Sequence, residues 1–218
     1  MSNPEGPVAV FAGTPVDTKM GADVLSAHGL VPILYPVSHD PVEQNHFQVL
    51  PLEEKQAVLR GLLTDAMGRG CDRAFVYCNS LSGAVSFPVL AEQLGLRIVT
   101  PMDVYGKLAL QYGKLAVIAA NSQALAAQHA AMTRANPQIL TMCADLLPVV
   151  IDIEAAYPPE EIIQRNHLDT LMRYFEEIGC EALLLGCTHF PYIKDALAAR
   201  FHAPIIDPAE EMVRLLTA

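Results

Sequence analysis

Gly70-Cys71-Asp72-Arg73-Ala74-Phe75-Val76-Tyr77-Cys78-Asn79-Ser80 aligns without a gap on Gly179-Cys180-Glu181-Ala182-Leu183-Leu184-Leu185-Gly186-Cys187-Thr188-His189, so Cys187 follows Cys78 by 109 positions in a chain of 218 residues. In each copy a short apolar run of strand length ends in a cysteine and two polar residues. The likeness extends outward in both directions. Gly6 to Ala12 aligns on Gly113 to Ala119, and Ile98-Val99-Thr100-Pro101 aligns on Ile205-Ile206-Asp207-Pro208, both at a spacing of 107. Three strand ends recurring in the same order predict two half-length units of the same topology.

Around these segments, apolar runs alternate with helical patterns. Strands are expected at Val8–Ala12, Val31–Tyr35, Ala74–Tyr77, Ile98–Val99, Leu115–Ala120, Leu146–Ile151, Leu183–Leu185 and Ile205–Ile206. Helices are expected at 18–28, 52–68, 83–94, 102–112, 122–135, 159–178, 191–200 and 208–217. Such βα alternation predicts an α/β fold. The expected architecture is two pseudo-symmetric lobes, each a mostly parallel sheet flanked by helices, with the active site in the cleft between them. The first lobe would take residues 1–100 plus 208–218 and the second 101–207. Ligands of open parallel sheets sit beyond the carboxyl ends of the strands. Those ends carry Gly13 and Thr14, then Pro36, Val37 and Ser38, then Cys78, Asn79 and Ser80 in the first half. In the second they carry Asn121 with Ser122, and Cys187, Thr188 and His189.

Composition narrows the function classes. Hydrophobic residues make up 52% of the chain and charged residues 17%, which argues for well-buried strands and against disorder. No apolar run reaches the roughly 18 residues of a membrane span. Met1-Ser2-Asn3-Pro4-Glu5 lacks the basic and apolar regions of a signal peptide, so a cytoplasmic protein is expected. Five cysteines, an odd number, suggest thiols rather than a disulfide framework. A net charge of -10 without a Lys/Arg cluster disfavours nucleic acid and membrane partners. The expected partner is a small molecule, and the expected assembly a homodimer.

Cys78 stands at a strand-to-helix junction, where unpaired amides and the positive end of a helix favour the thiolate. Cys187 has a matching place, with Pro191 favoured in the first turn of the next helix. Cys71 and Cys180 precede their strands and read as structural, as does Cys143 in a loop or strand start. His189, two residues past Cys187, can move a proton or stabilise a thiolate. A lone Cys-x-His without a second ligand pair does not make a zinc site, so no metal is expected. The lysines, Lys19, Lys55, Lys107, Lys114 and Lys194, mostly read as exposed helix positions rather than a Schiff-base residue, and Ala12-Gly13-Thr14-Pro15 lacks the further glycines of a nucleotide loop. No cofactor is indicated.

A reaction served by two opposed thiols alone is removal of a proton from one face of a carbon acid and its return to the other. One cysteine starts as the base and the other as the acid. Hydroxyl and amide groups at Thr14, Asn79, Ser80, Asn121 and Thr188 would stabilise a carboxylate as it gains enolate character.

At Cys78-Asn79-Ser80 and at Gly186-Cys187-Thr188-His189-Phe190-Pro191 the chain resembles the aspartate/glutamate racemase superfamily, and the likeness runs through nearly its whole length. The second motif leans to the glutamate racemase branch. The resemblance implies cofactor-independent racemisation of an amino acid, glutamate or aspartate, by Cys78 and Cys187 with His189 in support. Hydantoin racemisation, maleate isomerisation and a non-catalytic binding role are the alternatives that it carries. Cys143 to Val150 is similar to a segment of that branch leading into an acidic residue near the histidine; the corresponding place here is Ile151, with Asp152 next. Two further departures stand out. Ala12-Gly13-Thr14 replaces an Asp-Ser-Gly that handles the substrate's amino group, and Pro36-Val37-Ser38 replaces an expected Tyr-Gly.

Overall fold

The computed structural model describes residues 6–218. The chain divides into two compact units, one made of Met1–Asp103 and Ala209–Ala218, the other of Val104–Pro208. The short helix α6 (Met102–Ala109) carries the chain from the first into the second.

In the first unit β1 (Val8–Ala12), β2 (Pro32–Pro36), β3 (Arg73–Val76) and β4 (Arg97–Val99) form a sheet in the order β2-β1-β3-β4, with every pairing parallel. Between and after them run α1 (Pro15–Ala27), α2 (Pro41–Val49), α3 (Leu52–Gly68), α4 (Asn79–Ala84) and α5 (Phe87–Leu94), and α12 (Ala209–Thr217) returns to pack on β3 and β4. β1 and β3 are buried along their whole lengths, as strands covered on both faces must be. Phe11 stacks on Tyr35 with centroids 5.0 Å apart, and Leu59, Leu63, Phe87 and Leu90 close over that face.

The second unit repeats the topology. β5 (Lys114–Ala119), β6 (Leu140–Asp145), β7 (Ala182–Gly186) and β8 (Ile205–Ile206) pair in the order β6-β5-β7-β8, again all parallel. Its helices are α7 (Ser122–Ala135), α8 (Leu147–Glu154), α9 (Pro159–Arg165), α10 (Leu168–Glu177) and α11 (Lys194–Ala198), the last preceded by a 3-10 turn at Phe190–Ile193. The α/β class and the two parallel sheets expected from the doubled segment are therefore present.

The largest departure from the sequence reading is at Leu146–Ile151, which is helix rather than strand. Leu146 is the N-cap of α8, Pro148 occupies its first turn, and Val149, Val150 and Ile153 form its buried face. A short apolar run does not by itself distinguish a strand from a buried helix. The missing strand is β6 just before it, a half-exposed edge with no continuous apolar run. Two expected helices are broken. Val85-Ser86 separates α4 from α5, and Asn166-His167, with His167 at φ 51°, separates α9 from α10. The helix α2 was not foreseen, although Asp40 caps it by accepting from Val42 and Glu43 N–H and Pro41 opens it.

Candidate functional site

Both cysteines of interest stand where the third strand of a sheet runs out beside the first. In the second unit Gly186, the last residue of β7, pairs with Ala119 at the end of β5, and Cys187 follows. In the first unit Tyr77 holds the equivalent place, its N–H donating to Phe11 O at 2.7 Å, and Cys78 follows. The two sulfurs thus hold equivalent positions in the two sheets. Both residues are buried, and all five cysteines are thiols rather than disulfides.

Cys78 is the N-cap of the six-residue α4, with Ser82 donating both its N–H and its hydroxyl to Cys78 O. Its sulfur lies 3.3 Å from Ser80 Oγ. The Ser80 oxygen accepts from Gln44 Nε2 at 3.4 Å, and Gln44 Oε1 accepts from Ser38 Oγ at 2.9 Å. Ser38, Gln44 and Ser80 are all buried, so the path from Ser38 to the sulfur is shielded from water. Ser38 is held there by the strand-end backbone: Val37 N–H donates to Ala12 O and Ser38 N–H to Gly13 O. Val37 packs against the core, whereas Pro36 is exposed.

Gly13 and Thr14 have roles in the fold that their expected substrate contact did not include. Thr14 caps α1, and Asp17 closes a capping box: its carboxylate accepts from Gly13 N–H at 3.2 Å, Thr14 N–H at 2.7 Å and Thr14 Oγ1 at 3.0 Å. The two amides at the end of β1 are thus bound to the chain's own buried carboxylate. A side chain at Gly13 would come within 3.0 Å of Gln44 Cγ and Cδ, so the absent Cβ is what lets Gln44 lie across the strand end.

Around Cys187 the chemistry is different. Its sulfur lies 3.7 Å from His189 Nδ1, and His189 Nε2 lies 2.9 Å from Glu154 Oε1. The carboxylate can only accept, so it binds the Nε2–H tautomer and leaves Nδ1 to accept from a neutral thiol, or to donate to a thiolate once the ring is protonated. This is the nucleophile-base-orienter order of a catalytic triad. His189 is buried, and the Glu154 side chain is 15% exposed. Thr188 is buried beside them. Asn121, two residues past β5, caps α7 by accepting from Ala124 N–H at 2.9 Å.

Glu154 is the acidic partner that sequence reasoning missed. Ile151 lies on the exposed side of α8, and Asp152 turns to Arg165 and Asn166, accepting from Arg165 Nε at 3.1 Å and from Asn166 Nδ2 at 2.9 Å. Burial raises the Asp152 pKa, but the Arg165 and Asn166 hydrogen bonds outweigh it and hold the carboxyl below its ordinary value. Had Leu147–Glu154 been read as a helix, Glu154 would have stood one turn beyond Ile151 on the same side.

Below β7, the fully buried Gln128 of α7 donates from Nε2 to Gly186 O at 2.7 Å, and its Oε1 would lie 2.4 Å from a Cβ at Gly186. Of the remaining cysteines, Cys143 is exposed on β6. Cys71 and Cys180 are buried next to their strands, and that burial pushes their pKa values up. Among the described residues no group of three or more His, Cys, Asp or Glu side chains is arranged to hold a metal ion, and no helix is long and apolar enough to cross a membrane.

The chain is 28% identical over 156 residues to the glutamate racemase of Desulforudis audaxviator, covering 67% of this chain and 55% of that one. It is 26% identical over 144 residues to that of Limosilactobacillus reuteri, covering 64% and 53%. It thus spans about half the length of the curated relatives it matches. Glutamate racemase from Francisella tularensis, solved in complex with D-glutamate, superimposes with a TM-score of 0.76 at 18% identity, over 97% of this chain and 79% of that one, which shows a shared fold. The family model described as Asp/Glu/Hydantoin racemase matches residues 104–216, just over half of the chain, and the protein belongs to that family.

Proposed function

We propose that the protein is a cofactor-independent amino-acid racemase that acts through Cys78 and Cys187, with glutamate or aspartate as substrate. The observation that carries this reading is the equivalent position of the two thiols, Cys187 directly past β7 and Cys78 one residue further past β3, each following a residue held against the first strand of its sheet. The glutamate racemases among the relatives support it.

In one direction the Cys78 thiolate takes the α-proton and becomes a thiol. The electron pair left on the α-carbon spreads into the carboxylate, and the Cys187 thiol delivers its own proton to the opposite face, ending as a thiolate. For the other enantiomer the roles exchange. Neither direction needs an external acid, base or oxidant. Asn79, Asn121 and Thr188 serve the substrate's carboxylate, the Ser80 hydroxyl lies against the Cys78 sulfur, and His189 holds the Cys187 proton in place. Reduced thiols at both positions suit a cytoplasmic setting. The loop at Gly13 and Thr14, whose amides are taken by Asp17, favours a second substrate reading within the same family, a hydantoin or a related carboxylate.

The test is solvent exchange in deuterium oxide with each enantiomer of glutamate and aspartate, and with hydantoins in parallel. Exchange of the α-proton with inversion is expected for at least one acidic amino acid. Cys78→Ser and Cys187→Ser should each lose racemisation by at least about 100-fold, the lower range for a positioned acid or base. Inversion of hydantoins alone selects the second reading, and no exchange with any substrate removes both.

A further inference from the structure

We infer that Gln44 is a positioning residue for Cys78, directing the Ser80 hydroxyl hydrogen onto the Cys78 sulfur; the inference rests on the reading of Cys78 as an acid/base thiol. A serine hydroxyl has one hydrogen to give and can otherwise only accept. Gln44 Nε2 donates to Ser80 Oγ, which takes up one of the oxygen's two lone pairs and disposes its hydrogen toward the sulfur 3.3 Å away. On its other side the amide accepts at Oε1 from Ser38 Oγ at 2.9 Å, so its Nε2 faces Ser80. Gln44 is set in this place by the missing side chain at Gly13 below it and by the Asp40-capped start of α2.

Gly13 and Ser38, one from each segment in which the first unit departs from the glutamate racemase pattern, and Gln44, unread in the sequence, therefore form one cluster. Gly13 gives room, Ser38 fixes the amide and Gln44 orients the hydroxyl. A hydroxyl that donates to sulfur favours the thiolate over the thiol. The charged groups on the surrounding elements include Asp17, bound to the Gly13 and Thr14 amides, exposed Lys19 and Asp23 of α1, exposed Asp40, Glu43 and His46 at α2, and Glu53, Glu54, Arg60, Asp65 and Lys55 of α3, the last donating from Nζ to Gln48 O. The Ser38–Gln44–Ser80 path itself contains no titratable group, so its influence on the sulfur should not vary with pH.

The test measures alkylation of Cys78 by iodoacetamide across pH in the substrate-free protein, followed at the Cys78 peptide by mass spectrometry, with circular dichroism confirming the fold. Gln44→Leu removes the donor. Gln44→Glu keeps the shape over Gly13 but presents an acceptor, which turns the Ser80 hydrogen away from the sulfur. Both should raise the alkylation midpoint by about one unit, making reaction at neutral pH roughly three- to tenfold slower. Ser80→Ala should do the same, and Gln44→Leu should add nothing in that background. An unchanged midpoint in both folded Gln44 variants, or a Gln44→Leu shift that persists with Ser80→Ala, overturns the inference. Because no substrate takes part, a shifted midpoint in a protein that exchanges no α-proton leaves this inference standing while the racemase reading fails.

Discussion

The two thiols occupy the same place in two sheets of the same topology, and their neighbourhoods differ in kind. Cys78 faces a hydroxyl oriented by a neutral amide, while Cys187 faces an imidazole oriented by a carboxylate. The repeat fixes position, because backbone pairing at the strand end does not depend on what the next helix carries. The environment is set by the residue two past each cysteine, Ser80 or His189, and by the helix that orients it, α2 on one side and α8 on the other, each following the edge strand of its sheet. A neutral donor can favour a thiolate but has no proton to spare, whereas a histidine can store one. In the proposed reaction Cys187 is therefore the better-buffered partner, and Cys78 the one whose state is set by a fixed hydrogen bond.

The largest expected effect after loss of a cysteine comes from breaking the charged side of this comparison. His189→Asn should lower kcat/KM for racemisation about 100-fold, and Glu154→Gln by less, since the imidazole remains but is no longer held by a carboxylate. Enantiomers are equal in free energy, so the loss in kcat/KM must be the same in both directions. Exchange without inversion is under no such constraint. It should fall for the enantiomer whose proton Cys187 removes and persist for the other. Steady-state polarimetry together with deuterium incorporation separates the two, and equal exchange losses from both enantiomers would show that the two thiols do not differ in this way.

Each thiol also has a glycine and a glutamine packed against the strand ends that carry it, and here the difference is steric. At Gly186 an added methyl would meet backbone, Ile118 O at 2.8 Å, as well as the Gln128 amide at 2.4 Å, and neither can move far because Gln128 is bonded to Gly186 O. Gly186→Ala should cost about 1–3 kcal/mol of stability, read by denaturant unfolding. At Gly13 the methyl meets only the side chain of Gln44, at 3.0 Å. Gly13→Ala should cost less than about 1 kcal/mol, yet by displacing Gln44 it should slow Cys78 alkylation much as Gln44→Leu does. Equal stability losses at the two glycines would mean that the Gln44 packing is as rigid as the backbone contact.

What the sequence made legible follows the same division. The buried central strands, the doubled cysteine segment and the parallel topology could be read because burial on both faces leaves continuous apolar runs, as at Val8–Ala12 and Ala182–Gly186. The edge strand β6 could not, because half-exposure mixes polar residues into it, and the apolar start of α8 took its place in the reading. With that helix misread, Glu154 fell outside view. Gln44 was missed for a related reason: a buried glutamine looks like a surface residue until the helix carrying it is recognised. Asp40-Pro41 was the available signal for that helix. Polar residues that act through a second side chain leave no motif, and only the packing identifies them.

The smallest effect separates the two acids of α8: Asp152, which the sequence reading set next to the acidic position, and Glu154, which it missed. Glu154 points to His189, while Asp152 ties α8 to α9 through Arg165 and Asn166. The Asp152 carboxyl is held below its ordinary value by those partners despite its burial, so its contribution to stability is present above the unfolded-state pKa of about 3.9 and is lost as pH falls through the lower folded value. Asp152→Asn should therefore destabilise at neutral pH by less than Gly186→Ala does, because Arg165 is half exposed and solvent weakens the pair. The gap between variant and parent should close as the unfolding series is taken below about pH 4. Racemisation should fall less than with Glu154→Gln, since the Glu154–His189–Cys187 line is left chemically intact. A deeper activity loss in Asp152→Asn, at unchanged stability, would transfer the acidic role to Asp152 and leave Glu154 as a bystander on the same helix.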